Sequence, residues 1–207
     1  MPTTKIEWAE AVWNPITGCS PISEGCDHCY AKRQARRFKG RYGYPADDPF
    51  RVTVHRDRIE QPMHWIKSTR IFVCSMSDLF HPDVPLNVTR DIFDVMRRAG
   101  NMYGHTFMVL TKRPKRMAEF IAMLQKDKGP DFRRWPMPFV WLGVTAENQQ
   151  RFDERWPILR QIPAAIRFVS IEPMLSEIDM RVVPCGACNH PGDVLHWPCP
   201  YCKGSRF

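Results

Sequence analysis

Several things are missing from these 207 residues, and each absence removes a class of protein. No apolar run approaches the roughly 18 residues that a membrane-spanning helix needs. The opening MPTTKIEWAE carries charge and no apolar core, so no secretory leader is expected and the chain is read as cytoplasmic, with no membrane partner. No block of sequence repeats. Acidic residues are in deficit, 22 Asp plus Glu against 30 Lys plus Arg, which leaves a formal charge of +8. At 43% hydrophobic, 25% charged and 12% aromatic, the composition is that of a globular protein, neither disordered nor fibrous, and one domain of ordinary size is the prior.

Proline and cysteine are the entries in excess. The 19 prolines are nearly twice the usual frequency of about 5%. The eight cysteines are Cys19, Cys26, Cys29, Cys74, Cys185, Cys188, Cys199 and Cys202. A cytosolic chain large enough to bury its own core has no need of disulfides, and thiols clustered in a reducing compartment read as metal ligands. Only Cys74 stands alone. It lies in an apolar run and reads as a small buried hydrophobe.

The middle of the chain alternates short apolar runs with helical patterns. The runs are Arg70 to Ser75, Thr106 to Thr111, Phe139 to Val144 and Ile166 to Ile171, each with the length and content of a buried strand. A further strand is expected near Trp13. Leu86 to Ala99 reads as a helix stopped by Gly100, and Pro114 to Lys128 as one stopped by Gly129. Glu147 to Gln161 is helical in pattern, with Pro157 expected to break it in two. Successive strands start roughly 30 residues apart, the length of a βα unit, so a parallel sheet with right-handed crossovers follows. The fold class is α/β.

The strand ends matter most for function, because ligands of such sheets bind at the C-terminal strand edge. They read Ser75-Met-Ser77-Asp78, Thr111-Lys112-Arg113-Pro114, Thr145-Ala-Glu147-Asn148 and Ser170-Ile-Glu172-Pro173. Polar residues also end strands and cap helices for purely structural reasons. Four such clusters in succession favour a shared pocket.

Near the N-terminus, Cys19, Cys26 and Cys29 have the spacing C-x6-C-x2-C and run directly into a helical stretch, Tyr30 to Phe38. A cubane iron–sulfur cluster normally takes four thiolates. A local set of three leaves one iron open to a substrate or cofactor. Gly18 and Gly25 each precede a ligand, where the backbone must curve around a bulky core. The competing reading is a zinc site with His28 or Cys74 as fourth ligand.

Three clustered cysteines on a loop after the first strand, the last at the start of a helix, resemble the radical S-adenosylmethionine superfamily. That superfamily's usual spacing is C-x3-C-x2-C, and the Cys-Tyr-Ala ending is similar to the spore photoproduct lyase branch. More closely, WNPITGCSPISEGCDHCYA, FVCSMSDLFHPDVP, LTKRPKRM, WLGVTAENQQR and RFVSIEPML resemble the phage gene-product 37 / gene-product 68 family over roughly residues 6 to 180.

The resemblance implies a partial (βα) barrel over residues 1–180. Cys19, Cys26 and Cys29 would hold a [4Fe-4S] cluster whose fourth iron is chelated by S-adenosylmethionine. His28 would lie near the adenine, and Ser75, Ser77 and Asp78 would face the amine end. Thr111 and Lys112 would meet the carboxylate or ribose, with Thr145, Glu147 and Glu172 lining the remaining rim. The implied chemistry is reductive cleavage of S-adenosylmethionine to methionine and a 5′-deoxyadenosyl radical that abstracts hydrogen from a substrate. An electron donor such as flavodoxin or ferredoxin is implied as partner.

In the C-terminal segment, residues 181–207, Cys185, Cys188, Cys199 and Cys202 form C-x2-C-x10-C-x2-C. Two such knuckles supply the four thiolates of a closed structural Zn²⁺ site. A nucleic-acid-binding knuckle or a second Fe–S cluster are the alternatives. Five βα units are countable where the radical-type partial barrel has six, and only Val194 to Trp197 resembles a further strand. The family's Gly-Gly-Glu phrase is absent. Either the barrel is shortened after five βα units or the knuckles are an insertion at which this chain ends, and two rivals to catalysis stand beside it: a zinc-stapled nucleic-acid-binding phage protein, and a degenerate scaffold that keeps the cluster.

Positive charge gathers at Lys32, Arg33, Arg36, Arg37, Lys39 and Arg41, with more at Arg97-Arg98, Lys112 to Arg116 and Arg133-Arg134. Arg33, Arg36 and Arg37 share one helical face. That stripe suits either a solvated surface or a polyanionic substrate such as DNA or RNA.

Overall fold

The computed structural model describes residues 4, 6–126, 132, 135–180, 183–184 and 191–192. Its centre is a five-stranded parallel sheet built from β1 (Ala11–Trp13), β4 (Arg70–Val73), β5 (Thr106–Thr111), β6 (Val140–Thr145) and β7 (Ile166–Ser170), in that spatial order. Strand order follows chain order, so right-handed crossovers put the connecting helices on the same face. Those helices are α3 (Leu86–Tyr103), α4 (Pro114–Lys126) and α5 (Gln149–Gln161).

Alternation along the strands decides which side chains they meet. Ile71, Val73, Phe107, Val109, Val140, Leu142 and Val144 point to the helices and share one core with Phe93 and Met96 of α3, Phe120 of α4 and Leu159 of α5. The other face is less covered. The register sets Val12, Phe72, Met108 and Trp141 in one row, and Leu110, Gly143 and Phe168 in the next. Of these, Val12, Leu110, Trp141 and Phe168 are only half-buried. Trp8 lies against this face, its ring 4.7 Å from Phe72 on β4 and 6.3 Å from Phe168 on the far edge strand β7.

Smaller pieces complete the molecule. β2 (Ile16–Thr17) pairs antiparallel with β3 (Thr53–Val54). α1 (Tyr30–Arg37) buries Ala31 and Ala35 against Tyr44 and Met76 in a separate small core. α2 (Arg56–Ile59) precedes β4, and a hairpin of β8 (Val183–Pro184) and β9 (Pro191–Gly192) follows β7. Among the described residues no helix is long and apolar enough to cross a membrane.

Three local expectations are corrected. Helix α3 does not stop at Gly100. It runs on to Tyr103 and ends at Gly104, which takes the left-handed backbone (φ 70°) that closes a helix. Gly100 is instead a packing residue: a Cβ there would lie 2.4 Å from the Phe139 ring. Pro157 does not divide α5. Pro157 and Asp153, whose carbonyl loses its donor, are both exposed, so water can satisfy that group. Strand β4 stops at Val73, because buried Cys74 turns left-handed (φ 60°) while its N–H still bonds Trp13 O at 2.8 Å. The expected knuckle cysteines Cys185, Cys188, Cys199 and Cys202, with Val194 to Trp197 and Arg133-Arg134, lie outside the described residues.

Candidate functional site

The cysteine loop starts where β2 ends. Gly18 (φ 84°) passes so close to the chain that a Cβ would meet Arg51 O at 2.1 Å, which only glycine permits. Its N–H bonds Met76 O at 3.0 Å, and Ser77 Oγ donates to Gly18 O at 2.7 Å. Cys19 is thereby fixed beside the loop that follows β4. A 3₁₀ turn, Glu24–Cys26, carries the second cysteine, and Cys29 stands at the N-cap of α1. All three thiols are free and half-buried.

Two acids hold the loop down. Glu147, just beyond β6, is fully buried. It accepts from Ser23 Oγ at 2.5 Å, from Arg155 Nη1 at 2.8 Å and from Lys112 Nζ. Burial opposes its ionisation, but the Lys112 and Ser23 hydrogen bonds and the charges of Lys112 and Arg155 hold its carboxyl below the usual range. Gly25 lies directly on it: a Cβ there would approach Glu147 Cγ to 2.4 Å. Glu24 in turn accepts from Arg151 Nη2 at 2.8 Å and from Asn148, which caps α5 by accepting from Arg151 N at 2.9 Å. Its own backbone N–H, then Arg151 and Asn148, pull its carboxyl down to about 2.

A second knot lies under Cys19. Asp78 accepts from Thr111 Oγ1 (2.7 Å), Arg113 Nη1 (3.0 Å) and the N–H groups of Phe80 (3.0 Å) and Lys112 (3.1 Å). Arg113 also donates to Ser20 O at 2.9 Å and sits 3.6 Å from Cys19 Sγ. Burial and the nearby Asp78 nevertheless push the Cys19 thiol up to about 11, so a metal must displace its proton in order to bind. His81 Nδ1 accepts from Asp83 N at 3.1 Å, which leaves Nε2–H to donate to Ser20 Oγ at 2.6 Å.

The sequence-derived candidates divide into two groups. Asp78, Thr111, Lys112, Thr145 and Glu147 are brought together at the C-terminal strand edge, but their polar atoms are largely engaged within the protein; the Thr145 carbonyl takes Arg155 at 2.8 Å. Ser77 is likewise committed to Gly18. His28 and Glu172 are exposed. Ser75 shares its hydroxyl with Asn14 at 3.1 Å, and its carbonyl accepts from Tyr30 Oη at 2.5 Å. Desolvation of its hydroxyl raises the Tyr30 phenol to about 12, and the charges of Cys29 and Glu172 add to the shift. Asn14, Ser23, Glu24 and Arg155 are site residues that no motif singled out. Each acts on a partner at least 8 positions away, beyond the reach of local pattern. Arg113 was visible in the cluster after the second strand run, but not its hold on Asp78 and Ser20.

The donor set can be tested against a metal. Among the described residues no three Cys, His, Asp or Glu side chains converge on one point as a single ion requires. A cubane cluster presents a separate iron to each thiolate, and three free thiols spread along one curved loop suit that demand better than they suit one zinc ion.

No curated protein and no solved structure matches the chain. A family model does, over residues 3–197, which takes in the sheet, the cysteine loop and both knots beneath it. The chain belongs to the family described as Protein of unknown function (DUF5131).

Proposed function

We propose that this is a radical S-adenosylmethionine-type iron–sulfur protein, in which Cys19, Cys26 and Cys29 hold a [4Fe-4S] cluster beside a site for S-adenosylmethionine. The observation that carries the reading is the set of three free, half-buried thiols on one loop at the C-terminal edge of a parallel sheet. A partial barrel is the fold proposed for this sheet, on its strand order β1-β4-β5-β6-β7 with every neighbouring pair parallel.

Such a pair, when bound, supplies one-electron cleavage of a sulfonium C–S bond. The chain's own residues do the positioning. Ser23, Gly25 and Glu147 fix the middle of the loop, and Glu24 with Arg151 fixes its 3₁₀ turn. Arg113 brings positive charge to Cys19, where thiolate ligation adds negative charge. Since Asp78, Thr111 and Glu147 are occupied as scaffold, direct contacts with the methionyl and adenosyl groups fall to Ser75, His28 and Glu172. Leu110, Trp141 and Phe168 on the open face would exclude water from the reacting centre. The substrate class proposed is nucleic acid, and the electron donor a small flavin or iron–sulfur protein. A structural Zn²⁺ on Cys185, Cys188, Cys199 and Cys202 belongs to the same proposal, on spacing alone.

Anaerobic purification tests it. A brown protein absorbing broadly near about 400 nm with about four irons per chain is expected. Cys19→Ser, Cys26→Ser and Cys29→Ser should each lose the colour, and Cys74→Ser should keep it. A colourless protein with zinc at the loop would sink the reading. Dithionite with S-adenosylmethionine should release 5′-deoxyadenosine; a loaded cluster without that product would leave a scaffold.

A further inference from the structure

Several arginines of this molecule are neutralised by a carboxylate. Arg51 pairs with Asp47, Arg70 with Glu10, Arg98 with Asp94 and Glu60, Arg113 with Asp78, Arg151 with Glu24 and Glu154, and Arg155 with Glu147. Helix α1 and its end carry a denser group of cations. Among the described residues, Lys32, Arg33, Arg36, Arg37 and Lys39 are exposed and none of them pairs with a carboxylate. Five cations thus crowd onto one short helix and the two residues after it.

The helix sorts these cations. Lys32 and Arg36 stand four residues apart and Lys39 three further on, so they follow one side of α1 and its C-terminal turn. Together with Asp48, Pro49 and Phe50 they line a cleft of about 300 Å³. Asp48, the one acid in the lining, accepts the Phe50 N–H at 3.1 Å, which ties the Phe50 backbone in place. Arg33 and Arg37 are not part of the lining. Beside the stripe of Arg33, Arg36 and Arg37 expected from sequence, all three exposed on α1, Lys32, Arg36 and Lys39 form a second line that shares a cleft with Phe50.

We infer that this cleft binds a single-stranded nucleic acid, with phosphates on Lys32, Arg36 and Lys39 and one base against Phe50. Unpaired cations in a row meet a phosphate backbone, and an aromatic side chain beside them offers a stacking face, the combination that single-strand binders use. The volume suits a nucleotide unit and is too small to enclose a duplex. Because α1 begins immediately after Cys29, a strand held here leads to the cysteine loop. The inference rests on the proposed function for the strand's role as substrate, but the cleft and its binding do not involve the thiols.

Fluorescence anisotropy of the full-length protein with labelled oligo(dT) and oligo(U) of about 16 nucleotides tests it. Binding should weaken steeply with salt. Lys32→Gln/Arg36→Gln/Lys39→Gln should weaken it by at least about tenfold and flatten the log–log salt slope by about 2, the value for three lost contacts with a single strand. Phe50→Leu should weaken it about tenfold with the slope unchanged. Lys67→Gln/Lys115→Gln/Lys126→Gln removes the same charge elsewhere and should stay within about twofold of the parent. Equal loss in both triple variants would assign the binding to overall charge and overturn the inference. So would capture of phosphatidylserine vesicles through the cleft without any binding of the oligonucleotides. Iron content measured on the same samples separates the two proposals: oligonucleotide binding by an iron-free chain leaves the cleft standing and removes the cluster, and the reverse result removes only the cleft.

Discussion

Glu147 shows how much one residue can be asked to hold. It is ionised and inaccessible to water, and Lys112, Arg155 and Ser23 all depend on it. Glu147→Ala would leave buried Arg155 without its counter-charge, so a loss of about 3–5 kcal/mol is expected in urea unfolding. Glu147→Gln keeps an acceptor for Ser23 and should lose less. Three histidines predict a pH effect. His55, His81 and His105 are buried, and burial is the main cause lowering each below its ordinary value of 6.5. The unfolded chain therefore takes up these protons first as pH falls. Their contribution to stability is complete above about 6.5 and is lost as pH drops towards their folded-state values. The thermal midpoint should be lower at pH 5 than at pH 7.5, and His105→Phe, which removes one titrating ring, should reduce that difference.

At the scale of elements, what could be read from sequence follows the physics of burial. Strand β5 was legible to the residue, and β6 and β7 to within one, because short β-branched and aromatic runs bounded by polar residues fit a sheet better than a helix. Helix ends were less legible. Glycine is read as a stop, yet Gly100 is there because Phe139 occupies the space of its side chain. Gly100→Ala accordingly sets a helix-propensity gain of about 1 kcal/mol against overpacking that typically costs 1–3 kcal/mol. A net loss of stability is expected in thermal unfolding; a gain would mean the Phe139 ring moves aside freely. The two-residue strands β2 and β3 left no trace in the sequence, since each is defined only by the other. In the site, the cysteines and the strand-end acids were visible from residue type and spacing. The roles of Asp78 and Glu147 as supports were not, because Arg113, Arg155 and Ser23 reach them through the fold.

For the whole molecule, one aromatic residue outside the sheet ties two of its strands together. Trp8 bridges the rings of Phe72 and Phe168 across the open face. Trp8→Ala should remove about 3 kcal/mol and lower the thermal midpoint by roughly 6–12 °C. Near-ultraviolet circular dichroism should show loosened aromatic packing with the helical signal unchanged, because both ring contacts of Trp8 are lost. A midpoint within a degree of the parent would show that Trp8 merely rests on the face.

The ties of the cysteine loop also set an order in time. Ser23 bonds a partner 124 residues later in the chain, and Glu24 one 127 residues later. During synthesis at about 5–20 residues per second, Ser23 waits roughly 6–25 s before Glu147 has been made. For that interval the three thiols belong to an unanchored stretch of nascent chain, open to stray oxidation or to the wrong metal. The loop takes its anchored form only after β6 has joined the sheet, so on the proposed reading a cluster would find its three thiols held in place only once Glu147 has been made.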